Sequence, residues 1–227
     1  MSARSLLAGP TQAPRVTQTC ESMSIPSPVP QAGTIGSICL FCGSSSAGDP
    51  AFIQAAEDFG RRLAAEDVRL VYGGGGVGLM GAAAKAVHGS GGRVLGIIPE
   101  FLQVREVIYD EVDTVVVPNM HERKRLMFEQ SDAFAVFPGG IGTIEEVVEL
   151  ISWRRLDLHA KPIVFLNLNG FWDPFFALIE HTVAHKLTPP WLARTWGVAN
   201  TVDEILPLAR RLSAGVGDDD SEVSRKA

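Results

Sequence analysis

Apolar residues along this chain follow two alternating rhythms. Residues 34–41, 68–72, 94–98, 112–117, 133–137 and 162–167 are short, mostly apolar runs of strand length, most of them bounded by Gly, Pro, Asn or Ser. Between them the apolar positions recur at helical spacing. Phe52, Ala55, Ala56, Phe59 and Leu63 form one stripe behind Asp49-Pro50, with the proline suited to a first helical position. Further helices are predicted over 79–88, from Asn119 to about 131, over 143–156, 172–185 and 202–212. Residues 198–200 read as a short last strand and 101–111 as a loop with a short helix. Strand and helix alternate throughout, which predicts one doubly wound α/β domain around a parallel sheet. Right-handed crossovers then bring every strand-to-helix turn to one rim, where such sheets bind ligands.

The ends lack this rhythm. Residues 1–32, rich in Ser, Pro, Gln and Thr, are expected to be a disordered extension of a domain spanning 33–213. Residues 214–227, with Asp218, Asp219 and Asp220, are expected to be a disordered acidic tail. Of 227 residues, 46% are hydrophobic and 20% charged, as in an ordinary globular domain. A net charge of −6 without a basic stripe argues against nucleic acid. No apolar run has membrane-spanning length and no leader-type apolar segment opens the chain, so a cytoplasmic protein is expected. Cys39-x-x-Cys42 has no second pair and reads as buried thiols rather than a redox or metal motif.

The chemistry concentrates in the turns. Pro138-Gly139-Gly140-Ile141-Gly142-Thr143-Ile144-Glu145-Glu146 joins a strand to a helix. Glycines there admit a ligand to bare backbone, and the N–H groups at the helix start suit a phosphate. Thr143 and Glu146 also fit a capping box, and spacing leaves both readings open. The serines after the first strand, Ser45 among them, and Gly74 and Gly75 in the 73–78 run belong to the same rim. That run matches G-x-G-x-x-G, but it follows the second strand and lies within four successive glycines, so the match is weak; no P-loop motif occurs. Arg123 and Lys124 open a helix, where cations oppose the macrodipole, which points to a bound anion over a solvated face. Ile144, Val147, Val148 and Ile151 are expected to pack on the sheet. Leu150 and Trp153 would then form a second apolar face, covered by another subunit.

Two of these stretches, the Pro138–Glu146 turn and Met120-His121-x-Arg123-Lys124, closely resemble the Lonely Guy (LOG) family. So do Phe41-Cys42-Gly43-Ser44-Ser45, Tyr72-Gly73-Gly74-Gly75, Gly78-Leu79-Met80-Gly81, Ile98-Pro99-Glu100 and Leu158-His159-x-Lys161-Pro162. The resemblance covers roughly residues 35–210. It implies a Rossmann-like enzyme that hydrolyses the N-glycosidic bond of AMP or its N6-modified forms, releasing free base and ribose 5-phosphate. It implies no cofactor or metal, and homodimers or larger assemblies. The family's catalytic pair falls on Arg123 and Glu146, and its substrate contacts on Glu106, Arg123, Lys124 and the Gly140–Glu146 stretch. A further contact, commonly Thr, falls on Ser152, and Asp157 stands where Gly is usual. A non-catalytic nucleotide or molybdenum-cofactor carrier of similar topology is the alternative.

Overall fold

The computed structural model describes residues 33–103 and 107–215; the expectations for residues 1–32, Glu106 and the acidic tail lie outside them. Seven parallel strands form one sheet: β1 (Ser37–Phe41), β2 (Arg69–Tyr72), β3 (Val94–Pro99), β4 (Asp113–Val117), β5 (Ala133–Val136), β6 (Ile163–Leu166) and β7 (Gly197–Ala199), in the order β4-β3-β2-β1-β5-β6-β7. The helices are α1 (Pro50–Ala65), α2 (Gly78–Gly89), α3 (Glu100–Gln103), α4 (Met120–Glu129), α5 (Ile141–Arg155), α6 (Asp173–Ala184) and α7 (Ile205–Ser213). This is the doubly wound, Rossmann-like arrangement. The order reverses between β1 and β5, where Phe41 pairs with Val136, so the turns leaving these two strands part around a crevice.

Alternate residues of each central strand feed two cores. Ile38 and Leu40 pack with α1, α2 and α7 on one face. Cys39 and Phe41 pack with Met127 of α4 and Val147, Leu150 and Ile151 of α5 on the other. Strands covered on both faces require apolar residues at nearly every position, which is why they are continuous runs in the sequence. Cys39 and Cys42 are free and buried, and burial pushes both thiols well above their ordinary range.

Two expectations about α5 are corrected. The helix begins at Ile141 with Gly140 as N-cap, and the Ile144 N–H donates to the Gly140 carbonyl at 3.0 Å. Thr143 is therefore inside the helix, and the Thr143–Glu146 capping box does not form. The inward face is also rotated: Thr143, Glu146, Val147, Leu150 and Ile151 are buried, whereas Val148 is 42% exposed. Leu150 belongs to the core, and Trp153 packs edge-on against Phe128 of α4 within the same chain. The sequence pattern misplaced the stripe because two polar residues, Thr143 and Glu146, take part in the buried face where it meets the crevice. Among the described residues no helix is long and apolar enough to cross a membrane.

Candidate functional site

The site begins with how α4 starts. Asn119, after β4, caps the helix by accepting the Glu122 N–H at 2.9 Å. The first turn thus places Arg123 over the carboxyl ends of β2 and β3. Its Nε donates to the Ile97 carbonyl and one terminal nitrogen to the Gly73 carbonyl, each at 3.3 Å. A side chain at position 73 would occupy the guanidinium's space, so glycine is required there by close approach. The Arg123 side chain is only 7% exposed, so it is no part of a solvated cationic helix face. The Ile97 carbonyl within β3, the Gly73 carbonyl just beyond β2 and a carboxylate offset the unfavourable helix start.

That carboxylate is Glu146, whose Oε1 lies 3.8 Å from a terminal nitrogen of Arg123. Burial pushes its carboxyl up to about 7, against the pull of the Arg123 charge. A buried acid titrating near neutrality beside a fixed guanidinium can hold a proton, release one, or face a developing cation.

The turns after β1 and β5 are tied together. The Gly43 N–H donates to the Pro138 carbonyl at 3.0 Å, and the Gly43 carbonyl accepts from Leu79 at the start of α2. Between them opens a cleft of about 370 Å³. Gly43, Ser44 and Ser45 form one wall and Gly140, Ile141, Gly142 and Thr143 the other, with Arg123 and Glu146 also lining it. Gly140 caps α5 without a side-chain hydrogen bond, so the first N–H groups of a 15-residue helix open toward this space. Cys42 and Met80 also line it; both fall inside stretches quoted above for their resemblance, but as ordinary apolar residues at a strand end and a helix start neither was singled out as a site residue.

The remaining residues singled out in the sequence stand apart from the cleft lining. Lys124 is held by Glu145 at 2.6 Å and Glu149 at 2.8 Å on the outside of α5; although partial burial opposes it, these carboxylates raise its ammonium above the usual range. Ser152 is exposed, with its hydroxyl on the Val148 carbonyl. It lies about 16 Å along the helix from Ile141. Gly139 packs against Thr143, Gly74 against Ile98, Gly75 bridges to Ile108, and Ile144 packs at the edge of the core. A second cleft, about 400 Å³, opens at the opposite rim; its arginines, Arg69 and Arg93, already bond Gln130 and Asp67.

A family model described as "Possible lysine decarboxylase" matches residues 80–208. Among the described residues no lysine lines the cleft: Lys85 bonds the Gly76 carbonyl, Lys124 two carboxylates and Lys161 two carbonyls. These residues do not fit pyridoxal phosphate, whose chemistry needs a Schiff-base lysine. A probable cytokinin riboside 5'-monophosphate phosphoribohydrolase of Oryza sativa subsp. japonica is 48% identical over 154 residues, 67% of this chain and 68% of that protein. A cytokinin riboside 5'-monophosphate phosphoribohydrolase of Arabidopsis thaliana is 43% identical over 158 residues, 69% and 73% of the two chains. The molybdenum cofactor carrier protein of Chlamydomonas reinhardtii superposes with a TM-score of 0.61 over 78% of this chain and 98% of its own, at 21% identity, a likeness of fold. On the family model and these relatives together, the chain belongs to the Lonely Guy (LOG) family of cytokinin riboside 5'-monophosphate phosphoribohydrolases.

Proposed function

We propose that this chain hydrolyses the N-glycosidic bond of adenosine 5'-monophosphate and its N6-modified forms, giving free base and ribose 5-phosphate. The observation that carries the reading is the buried Arg123–Glu146 pair facing the open start of α5 across one cleft. The names of relatives up to 48% identical support it. The 5'-phosphate docks on the N–H groups at Gly140–Gly142 and the Thr143 hydroxyl, and this remote binding positions the sugar. As the bond from ribose C1' to purine N9 lengthens, positive charge gathers on the ribose, and ionised Glu146 stabilises it. Water supplies hydroxide to C1' and the proton to the departing purine. Arg123, anchored by two backbone carbonyls, keeps Glu146 oriented and offers its remaining donors to the substrate.

The proposal includes a homodimer. The outer face of α5 carries Ile141 at 83% exposure and Val148, and continues into Leu156 at 65% and Leu158 at 66%, apolar surface that a second copy would cover. Ser152 lies among them, and in this reading serves the substrate from that shared face. Buried free thiols suit the reducing cytoplasm.

Purified protein incubated with AMP and with N6-isopentenyladenosine monophosphate should release free base on chromatography. Absence of base from both would sink the proposal.

A further inference from the structure

The segment between α5 and β6 holds two side chains that no step above uses. Lys161 is mostly withdrawn from water, and its ammonium donates to the carbonyls of Phe128 and Ser131, at 2.6 and 2.7 Å, where α4 ends. It also lies 4.1 Å from the centre of the Phe128 ring. His159 reaches the other helix, its Nε2 standing 3.0 Å from the Leu150 carbonyl of α5. The Lys161 N–H donates to His159 Nδ1 at 3.2 Å. Nδ1 is thus the acceptor, so Nε2 carries the proton and donates to Leu150, and the ring is held neutral. Burial, then the cations of Arg154 and Lys161, push its protonation below the usual range. The imidazole also meets the Phe128 ring edge-on, and Phe128 in turn meets Trp153.

One short loop therefore grips both helices. Arg123 stands on α4 five residues before Phe128, and Glu146 on α5 four residues before Leu150. A helix transmits a shift at one end to the other, so a grip on the distal ends sets the spacing of the near ones. We propose that His159 and Lys161 are positioning residues, which lock α4 against α5 and so hold Arg123 beside Glu146. This rests on the reading that those two perform the hydrolysis.

His159→Phe removes the donor to Leu150 and the acceptor for Lys161; Lys161→Met removes the bonds to α4. His159→Gln keeps a donor to Leu150. With AMP as substrate, the first two should lose about tenfold or more in kcat while KM changes by about twofold at most, as misplaced groups behave. His159→Gln should stay near the parent. A readout independent of turnover is the carboxyl carbon resonance of Glu146, assigned by its loss in Glu146→Gln. With Arg123 drawn away, it should titrate at higher pH in His159→Phe and Lys161→Met than in the parent. Glu145, Glu149 and Lys124 also act on that carboxyl, the neighbouring buried thiols of Cys39 and Cys42 feel its charge, and all are unchanged by these substitutions. Lower stability with unchanged kcat and unchanged Glu146 titration would overturn the proposal. So would loss of the fold in both variants even with saturating AMP, since the pair would then be a folding requirement. If the parent releases no base, the functional reading has failed, and the Glu146 titration alone decides the positioning role.

Discussion

At the scale of single residues, Glu146 carries the sharpest expectations. Replacing it with Gln removes the negative charge and nearly keeps the shape. Turnover of AMP should fall on the order of a hundredfold or more, while AMP binding, measured by calorimetry, changes little because the phosphate contacts stay. Near-parental turnover would remove the carboxylate from the mechanism. The same group ties stability to pH. Its folded value, about 7, lies above the 4.5 it has when exposed, so the native state binds more protons between those limits. Stability from this group is therefore fully present below pH 4.5 and lost as pH rises through 7. Glu146→Gln resembles the protonated form and should be more stable than the parent at pH 8, by about 3 kcal/mol, with the difference vanishing near pH 4. Parallel denaturation series at the two pH values check this. The reactive types of Arg123 and Glu146 were readable in the motifs; their mutual burial was not, because it arises from strands and helices distant in sequence.

At the scale of elements, the end of α5 departs from its usual chemistry. Asp157 follows the helix with φ of +56°, in the left-handed region, while the Leu158 N–H turns back to the Trp153 carbonyl at 3.0 Å. This is the helix stop that glycine serves without strain, which gives a physical reason for the family's glycine there. Asp157→Gly should stabilise the protein by about 0.5–1 kcal/mol and raise the thermal midpoint by a few degrees. A lower midpoint would mean that the aspartate side chain contributes something its backbone strain conceals. The helix starts were more legible than the faces. The sequence pattern starts a helix at Asn119, a residue type suited to a cap, and its side chain caps α4. Thr143 looked equally suitable and does not, since the glycine turn already lets the helix begin two residues earlier.

At the scale of the whole molecule, the question is which surface meets another copy. The core position of Leu150 and the intrachain packing of Trp153 move that expectation to the Val148 face. Val148→Asp should leave the fold intact and shift sedimentation from dimer toward monomer. Leu150→Asp should unfold the protein, because it puts a charge into the second core. A monomeric parent at micromolar concentration would refute the dimer outright. The cleft as a whole is expected to require the 5'-monophosphate: adenosine should be turned over at least about a hundredfold less efficiently than AMP, because the phosphate contacts pay for positioning the sugar. Comparable rates for the two would show that the glycine-rich rim does not serve as the anchor.

The alternation of apolar runs and helical stripes, together with the handedness of crossovers, was enough to specify a parallel sheet with its turns on one rim. Those rules act between neighbours in sequence and survive in any one-dimensional reading. The β1–β5 switch point and the start of α5 at Ile141 were not implied: the first is a pairing of strands distant in sequence, and the second follows from the glycine turn taking up the helix ahead of Thr143. What only the tertiary structure decided is which rim residues share a space. Lys124 and Arg123 are adjacent in sequence, yet one turns outward to the carboxylates of α5 and the other inward beneath Gly73. Successive residues on a helix are about 100° apart, and whether a charged side chain can turn inward depends on carbonyls and a carboxylate supplied by three other elements.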